Sequence, residues 1–336
     1  MTAAGSDYSM RSYLNSMLYY CRLAKEGWMT QEMYYSDTAG AFDVIDGTPF
    51  NEGFDLRQDL TKGSMEFDML FTPKLEMFNQ ERLLIPSDVR LKFIRQPPEF
   101  YLMKKADDTA EYKIRIKKAE LILRTVEMEE PFQRKITRAL EEKKVCCYPL
   151  ISTECTHFLV PYGSSLVSHP ISKLGKQPIR IYLTFQDNAI YNGKYDKNPY
   201  NFQPHNLSDV NLVINGKQFP TTSLKLQFVK DKDGEIIGGQ YLRAYNELQR
   251  TTGVLGMNSG FNVVRKDYPK GYFVLGIKTT EAFSDTTLAP STQGALTINL
   301  TFSKPLEVSL SVIMVLEYQK IITVDGNGKV SPDYGS

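Results

Sequence analysis

The sequence has few of the residues on which disulfide-rich, metal-dependent and histidine-based proteins depend. Only four cysteines and three histidines occur among 336 residues. Four cysteines are too few for a disulfide framework, and the spacing of Cys146, Cys147, Cys155 and His157 differs from the separated cysteine pairs typical of zinc sites. The histidines lie in separate segments, with no nucleophile elbow and no helical pair of histidines. We therefore predict free thiols, no cofactor and no enzymatic activity.

Long apolar runs and a strong net charge are also missing. No run approaches the roughly 20 residues that cross a bilayer, and residues 1–10 lack the basic-then-apolar pattern of a signal peptide. The net charge is +1, so any DNA contact should be weak, non-specific and confined to a local patch. The sequence predicts a protein made in the cytoplasm, not secreted, and without a membrane span.

What the sequence has in abundance is aromatic and apolar residues in short alternating runs. Apolar residues make up 42% and aromatic residues 12%, with 20 Tyr and 18 Phe. This balance excludes a disordered chain and favours packed β-sheets. A chain of this length is long enough for two domains.

The order of elements in the first third of the chain recurs in the last third. A helical segment, an Asn-x-Gly-Phe motif and three alternating runs appear in both, although few residues match. The first set is Tyr13, residues 51–54, 63–71, 88–96 and 111–129; the second is Tyr241, residues 258–261, 271–278, 294–304 and 307–325. Strand-like runs precede the second helix and none precedes the first. The pattern therefore predicts one complete and one incomplete copy of an all-β module.

The boundary between the copies is predicted at a short helix. Pro131 suits a first helical turn, and Lys143 and Lys144 suit the last one. We predict an incomplete first module over residues 1–150 that begins near a helix and ends in a linker helix near 131–144. The complete second module spans residues 151–336. Asn215-Gly216 predicts a type I′ hairpin within it.

Two surfaces are candidates for contacts. Lys113, Arg115 and Lys117 would share one face of a strand, which suits either a weak contact with a genome or a solvated sheet face balanced by nearby glutamates. A loop between residues 191 and 206 is rich in Tyr and Asn and nearly free of aliphatic residues. Large rings suit an interface, whereas the alternative is packing over the loop's own sandwich. The candidate inter-subunit or inter-domain residues in this loop are Tyr191, Asn192, Tyr195, Asn198, Tyr200 and Phe202.

Several segments resemble a known family in the family's own order. They are residues 68–71, 88–95 and 100–103, then 148–150 with 156–164, and the loop Asp187-Asn188-Ala189-Ile190-Tyr191-Asn192-Gly193 followed by Lys197-Asn198-Pro199-Tyr200-Asn201-Phe202. Residues 267–272 and 325–334 extend the likeness. These segments resemble the major capsid proteins of Polinton (Maverick) elements and adintoviruses, from about Tyr13 onward.

The resemblance implies a double jelly roll, in which two β-sandwiches lie side by side and short helices are inserted. It implies a viral, endogenous viral or transposon-encoded capsid protein found in the virion, with assembly in the nucleus as one route. Its expected partners are two further copies in a homotrimeric pseudo-hexagonal capsomer, neighbouring capsomers of an icosahedral shell, and a minor capsid or penton protein. The family carries strands before the Tyr13 helix, so by this reckoning roughly 80 to 100 opening residues are lacking here.

Two other functions fit the same residues. Jelly rolls also serve as carbohydrate- or protein-binding modules, and exposed tyrosines can stack on sugars. A gene of this kind can also be a host-genome remnant that no longer builds particles.

Overall fold

The computed structural model describes residues 5–80, 82–85, 90–171, 177–253, 260–279 and 294–333. Within this part of the chain, helices and irregular segments make up the first half and β-strands dominate the second. The helices are α1 (Gly5–Tyr19), α2 (Arg22–Glu26), α3 (Glu52–Thr61), α4 (Pro98–Tyr101), α5 (Glu130–Glu141), α6 (Asn188–Tyr191) and α7 (Leu242–Thr251). The strands are β1 (Cys146–Val160), β2 (Leu166–Pro170), β3 (Arg180–Asp187), β4 (Leu207–Ile214), β5 (Lys217–Lys225), β6 (Gln227–Lys230), β7 (Ile236–Gln240), β8 (Val274–Lys278), β9 (Leu296–Phe302), β10 (Leu310–Val324) and β11 (Val330–Asp333).

Eight of these strands form a jelly roll. One sheet has the order β1-β10-β3-β8, with β11 also paired to β10, and the facing sheet has the order β2-β9-β4-β5. Every ladder between these strands is antiparallel. Each sheet combines strands from the beginning and the end of the segment, which is the double Greek-key connectivity of a jelly roll. The all-β prediction for the second half is confirmed, and β6 and β7 add a small hairpin before α7.

Sequence patterns account for the individual strands. In β9, the residues Leu296, Ile298, Leu300 and Phe302 are buried and alternate with half-exposed polar residues, as expected of a sheet with one face in the core and one in solvent. Asn215 and Gly216 have φ values of 50° and 80° between β4 and β5, which confirms the predicted hairpin turn. The sheet that contains β9 therefore has a polar outer face.

The other sheet is covered on both faces. In β3, residues 180–186 are all buried, and so are the first eight residues of β10. Helix α1 lies on the outer face, with Met10, Leu14, Met17 and Leu18 almost fully buried. The Tyr19 hydroxyl lies 2.6 Å from both the Tyr182 hydroxyl and a Glu317 carboxylate oxygen. The first half of the chain thus forms a third layer over the β1-β10-β3-β8 sheet.

The helix predicted near residues 131–144 is present as α5. Glu130 and Pro131 occupy its first turn, and ion pairs at i,i+4 spacing join Glu130 to Arg134 and Arg138 to Glu142. None of its residues is buried, and the Phe132 side chain is 58% exposed. The apolar side of this amphipathic helix is therefore largely open to solvent.

The three strands predicted in the first half do not form. The described residues of 63–71, 88–96 and 111–129 pair with no strand, and residues 88 and 89 lie outside the described part. The prediction of a basic strand that carries Lys113, Arg115 and Lys117 is therefore wrong. Apolar side chains of all three runs are exposed, among them Met65 at 57%, Phe93 at 66% and Ile116 at 65%.

The topology of the second half supplies the physical reason. There, β8 pairs with β3, β9 pairs with β2 and β4, and β10 pairs with β1, β3 and the short β11. These three strands after α7 never pair with one another. In the first half, the three runs follow α1 as β8, β9 and β10 follow α7. Among the described residues, however, no strand precedes α1 with which these runs could pair. Alternation alone therefore predicted strands for which the described part of the chain supplies no pairing partner.

The Asn-x-Gly-Phe motifs correspond only in part. Asn51 caps α3, because its side chain accepts a hydrogen bond from the Phe54 backbone N–H at 3.4 Å. In the second motif, residues 258 and 259 lie outside the described part, and Phe261 follows in irregular backbone. The first motif is therefore the start of a helix and not part of a strand.

Candidate interface between the two halves of the chain

The aromatic loop between β3 and β4 lies against the first half of the chain. Short α6 opens the loop, because the Asp187 carboxylate accepts a hydrogen bond from the Ala189 N–H at 2.8 Å. The following residues, up to Phe202, face the segment between α2 and α3 and the segment around α4. Four of the six candidate residues contact the first half directly: Tyr195, Asn198, Tyr200 and Phe202.

Asn198 is the polar centre of this contact. Its side chain is 4% exposed, its amide donates to an Asp37 carboxylate oxygen at 3.2 Å, and its backbone N–H donates to Asp43 at 2.8 Å. The Asn198 carbonyl accepts a hydrogen bond from Gln186 of β3 at 3.3 Å. The buried amide and the backbone groups of Asn198 therefore meet partners, as burial requires.

Asp37 and Asp43 reach the loop from the connector before α3. Asp37 also forms an ion pair with Arg57 of α3 at 2.5 Å, and its backbone oxygen accepts a hydrogen bond from the Tyr272 hydroxyl. Asp43 accepts hydrogen bonds from Lys197 and Asn201 at 3.2 and 3.0 Å. One half of the chain supplies the carboxylates, and the other supplies most of the donors.

Aromatic rings surround the polar contacts. The Tyr13 ring of α1 stacks on the Tyr200 ring at 4.1 Å between centroids and meets the Phe202 ring edge-on at 6.0 Å. Phe100 of α4 meets the Tyr200 ring edge-on at 5.9 Å. Burial raises the pKa values of the Tyr13 and Tyr200 phenols above the ordinary value for tyrosine. Both phenols therefore stay neutral over the physiological pH range.

A glycine allows the closest approach of the two halves. Gly271 has a φ of 101°, and a Cβ atom there would lie 2.3 Å from the Phe42 ring. Phe42 is 1% exposed and packs edge-on against the Tyr272 ring at 4.8 Å. Any larger residue at position 271 would push the Phe42 ring out of this site.

Tyr195 lies at the margin of the interface. Its hydroxyl donates to Glu99 at 3.3 Å, its backbone oxygen accepts from the Lys104 N–H at 2.9 Å, and the Lys104 ammonium lies 5.0 Å from the ring centroid. Tyr191 and Asn192 do not join these contacts. The Tyr191 hydroxyl lies 2.9 Å from His157 Nδ1 within the jelly roll, and the exposed Asn192 amide donates to Asn188 at 2.8 Å.

The second candidate surface is exposed and irregular. Lys113, Arg115 and Lys117 all face solvent, and Lys117 forms an ion pair with Glu66. Arg95 donates to the Ile114 carbonyl at 2.6 Å. These two contacts bring the three extended runs together without a backbone ladder.

The described residues offer neither a cluster of metal ligands nor a membrane-spanning helix. In the part of the chain that the structure describes, no group of three or more His, Cys, Asp or Glu residues is arranged to hold a metal ion. The same residues include no helix that is both long enough and apolar enough to cross a bilayer.

Sequence reasoning identified the loop but missed its acceptors. Asp37 and Asp43 lie in the connector before α3, which is rich in Gly, Asp and Asn and in which acidic residues ordinarily belong to solvated turns. They are separated from Asn198 by more than 140 positions in the sequence. Nothing in their local pattern distinguishes them from surface residues.

Comparison with known proteins gives one related sequence and several similar structures. No protein-family model matches the chain. The uncharacterized Caenorhabditis elegans protein F54H12.2 is 24% identical over 325 residues, which cover 95% of this chain and 73% of the worm protein.

The similar solved structures come from virus particles. The Sputnik virophage structure has a TM-score of 0.34 and 13% identity, and the match covers 57% of this chain and 39% of that one. The PBCV-1 capsid has a TM-score of 0.37 and 10% identity, covering 61% and 55%, and the mavirus major capsid protein has 0.33 and 9%, covering 56% and 41%. The chain thus spans about half the length of these proteins or less. In fold it is similar to double jelly-roll major capsid proteins.

Proposed function

We propose that this protein is a structural subunit that self-assembles as a viral or transposon-encoded major capsid protein. The observation that supports this most is the jelly roll of the second half, to which the first half is fixed through a buried interface. Homotrimers with pseudo-hexagonal outline, packed into an icosahedral shell, are the proposed assembly. Burial of loop and edge surfaces between copies would supply the stability.

The division of the chain belongs to the same proposal. Residues 1–150 would represent an incomplete first jelly roll and residues 151–336 a complete second one, whose first strand β1 already begins at Cys146. The runs at 63–71, 88–96 and 111–129 would be strands that become ordered only when complementary strands pair with them. Their exposed apolar rows support this, because such rows ordinarily mark a surface that another β-element covers.

Self-assembly predicts a trimer. Size-exclusion chromatography with light scattering, on protein expressed from its natural gene, should give three times the mass of the single polypeptide. Electron microscopy of concentrated samples should show pseudo-hexagonal capsomers or shells. A monomer that binds glycans would favour a carbohydrate-binding module, and a monomer that binds none would fit a non-assembling remnant. Either monomer contradicts the proposal.

The incomplete first half predicts uneven protection along the isolated chain. Backbone amides of residues 65–69, 91–96 and 112–117 should exchange with solvent within seconds, whereas those of β3, β9 and β10 should be protected by several orders of magnitude. Limited proteolysis should leave a resistant fragment that starts near residue 145. Equal protection in the two halves would contradict this division of the chain.

A further inference from the structure

His205 lies at the end of the aromatic loop, where the chain turns into β4. His205 and Asn206 have φ values of 44° and 61°, in the left-handed region that few side chains adopt. The turn is held closed by backbone contacts: the Leu207 N–H donates to Pro204 at 2.9 Å, and the Asn206 carbonyl accepts from the Ser303 N–H at 2.9 Å. The backbone around His205 is therefore held by its own turn and by the segment that follows β9.

The His205 ring has one nitrogen that the fold does not satisfy. Nε2 is enclosed and has no hydrogen-bond partner among the described residues. Burial lowers the pKa of His205 to about 4; Asp187, at the end of β3, opposes this shift, and Lys230, in β6, adds to it. Asp187 already accepts the Ala189 N–H that caps α6. The site therefore suits a neutral imidazole, and no acceptor among the described residues lies within hydrogen-bond distance of Nε2.

This turn closes the same loop that joins the two halves. Phe202 is fully buried three residues before His205, and its N–H donates to the Gly271 carbonyl at 3.0 Å. Asn198 and Tyr200, which contact Asp37 and Tyr13, lie just before it. A change that opens the turn at His205 therefore loosens the contacts at Asn198 and Tyr200 as well.

We propose that His205 is an acid-operated lock: protonation of its enclosed imidazole opens the loop and breaks the contacts that the loop makes with the first half of the chain. The ring is neutral when the loop is closed, and it accepts a proton readily when the loop is open and the ring is in water. Acid therefore favours the open loop. Because the proton adds to Nε2 without any bond being broken, the lock closes again at neutral pH.

The test is hydrogen exchange of residues 187–206 in the full chain, expressed as protection relative to the intrinsic rate at each pH. The ordinary histidine pKa is about 6.5, so the opening equilibrium should rise about twentyfold between pH 7 and pH 5. His205→Asn removes the titrating group, and Asn tolerates a positive φ. This variant should show no such rise, whereas the matched control His169→Asn, in β2 and outside the loop, should behave as the wild type.

Two results would overturn the proposal. One is that the exchange protection of residues 187–206 does not change with pH in the wild type, or that it changes equally in His205→Asn. The other comes from an NMR titration of the wild-type imidazole, which remains decisive if the variant does not fold: a pKa for His205 near 6.5 would show that the closed loop accepts the proton without cost. A pKa well below 6, with loop signals that shift in the same titration, would support the lock.

Discussion

Replacement of Asp37 by alanine is expected to destabilise the protein by about 3 kcal/mol and to loosen the contact between the loop and the first half. The carboxylate is 6% exposed and receives hydrogen bonds from Arg57 and Asn198. Its removal leaves the Arg57 guanidinium, 27% exposed, without its counter-charge, and leaves the Asn198 amide without an acceptor. An unpaired charge inside a fold costs far more than a surface ion pair contributes.

Urea unfolding, followed by circular dichroism and by exchange of residues 187–206, measures this effect. Asp46→Ala is the matched control, because Asp46 also pairs with a cation, Lys105, at 2.5 Å but both side chains are more than half exposed. The control should change the free energy of unfolding by less than about 0.5 kcal/mol. If the unfolding curves of the two variants coincide, the interface at Asp37 does not hold the halves together.

The second large effect concerns Lys25, a buried amine in α2. The residue is 4% exposed, and its Nζ donates to the Met17 carbonyl at 2.7 Å and to Asn262 Oδ1 at 2.6 Å. Both acceptors are neutral, and burial lowers the pKa of Lys25 to about 7. Between pH 7 and the ordinary lysine pKa near 10.5, the folded protein therefore binds fewer protons than the unfolded one. In this window the free energy of unfolding rises with pH.

Between pH 7 and pH 9, the free energy of unfolding should rise by about 2 kcal/mol because of Lys25. This contribution is measured as the difference between wild type and Lys25→Met, in which the effects of other titrating groups cancel. Methionine fills a similar volume without a charge and should remove the pH dependence. Lys232→Met, in the exposed β6–β7 turn, should leave it intact. If the free energy of unfolding depends on pH in the same way in wild type and in Lys25→Met, the Lys25 amine stays protonated in the folded protein.

These predictions share one structural cause, which is that the first half of the chain is held by the second. Asp37, Lys25 and the rings of Tyr13 and Phe42 all belong to the first half, and their partners belong to the jelly roll or its loops. In a capsid subunit of the proposed kind, such a contact would set the angle between two adjacent sandwiches. The lock proposed at His205 would make that angle sensitive to acid.

Local pattern in the sequence was enough to determine the elements of the second half. Alternation in residues 294–304 and 307–325, the Asn215-Gly216 turn and the amphipathic helix before residue 251 each depend on neighbours close in the chain, and each is present. The same kind of pattern also predicted the Tyr- and Asn-rich loop as a contact region. Short-range steric and burial preferences suffice for such features.

Tertiary structure alone decided which strands formed and which polar groups met. A strand exists only when another strand satisfies its backbone, so the runs at 63–71 and 111–129 alternate as β10 does and still remain unpaired. The pairing of Asp37 with Asn198, and the enclosure of Lys25 and His205, depend on segments far apart in the sequence. The sequence by itself determined a jelly roll and a module that repeats its order; the fold decided that the first module is held in place by the second.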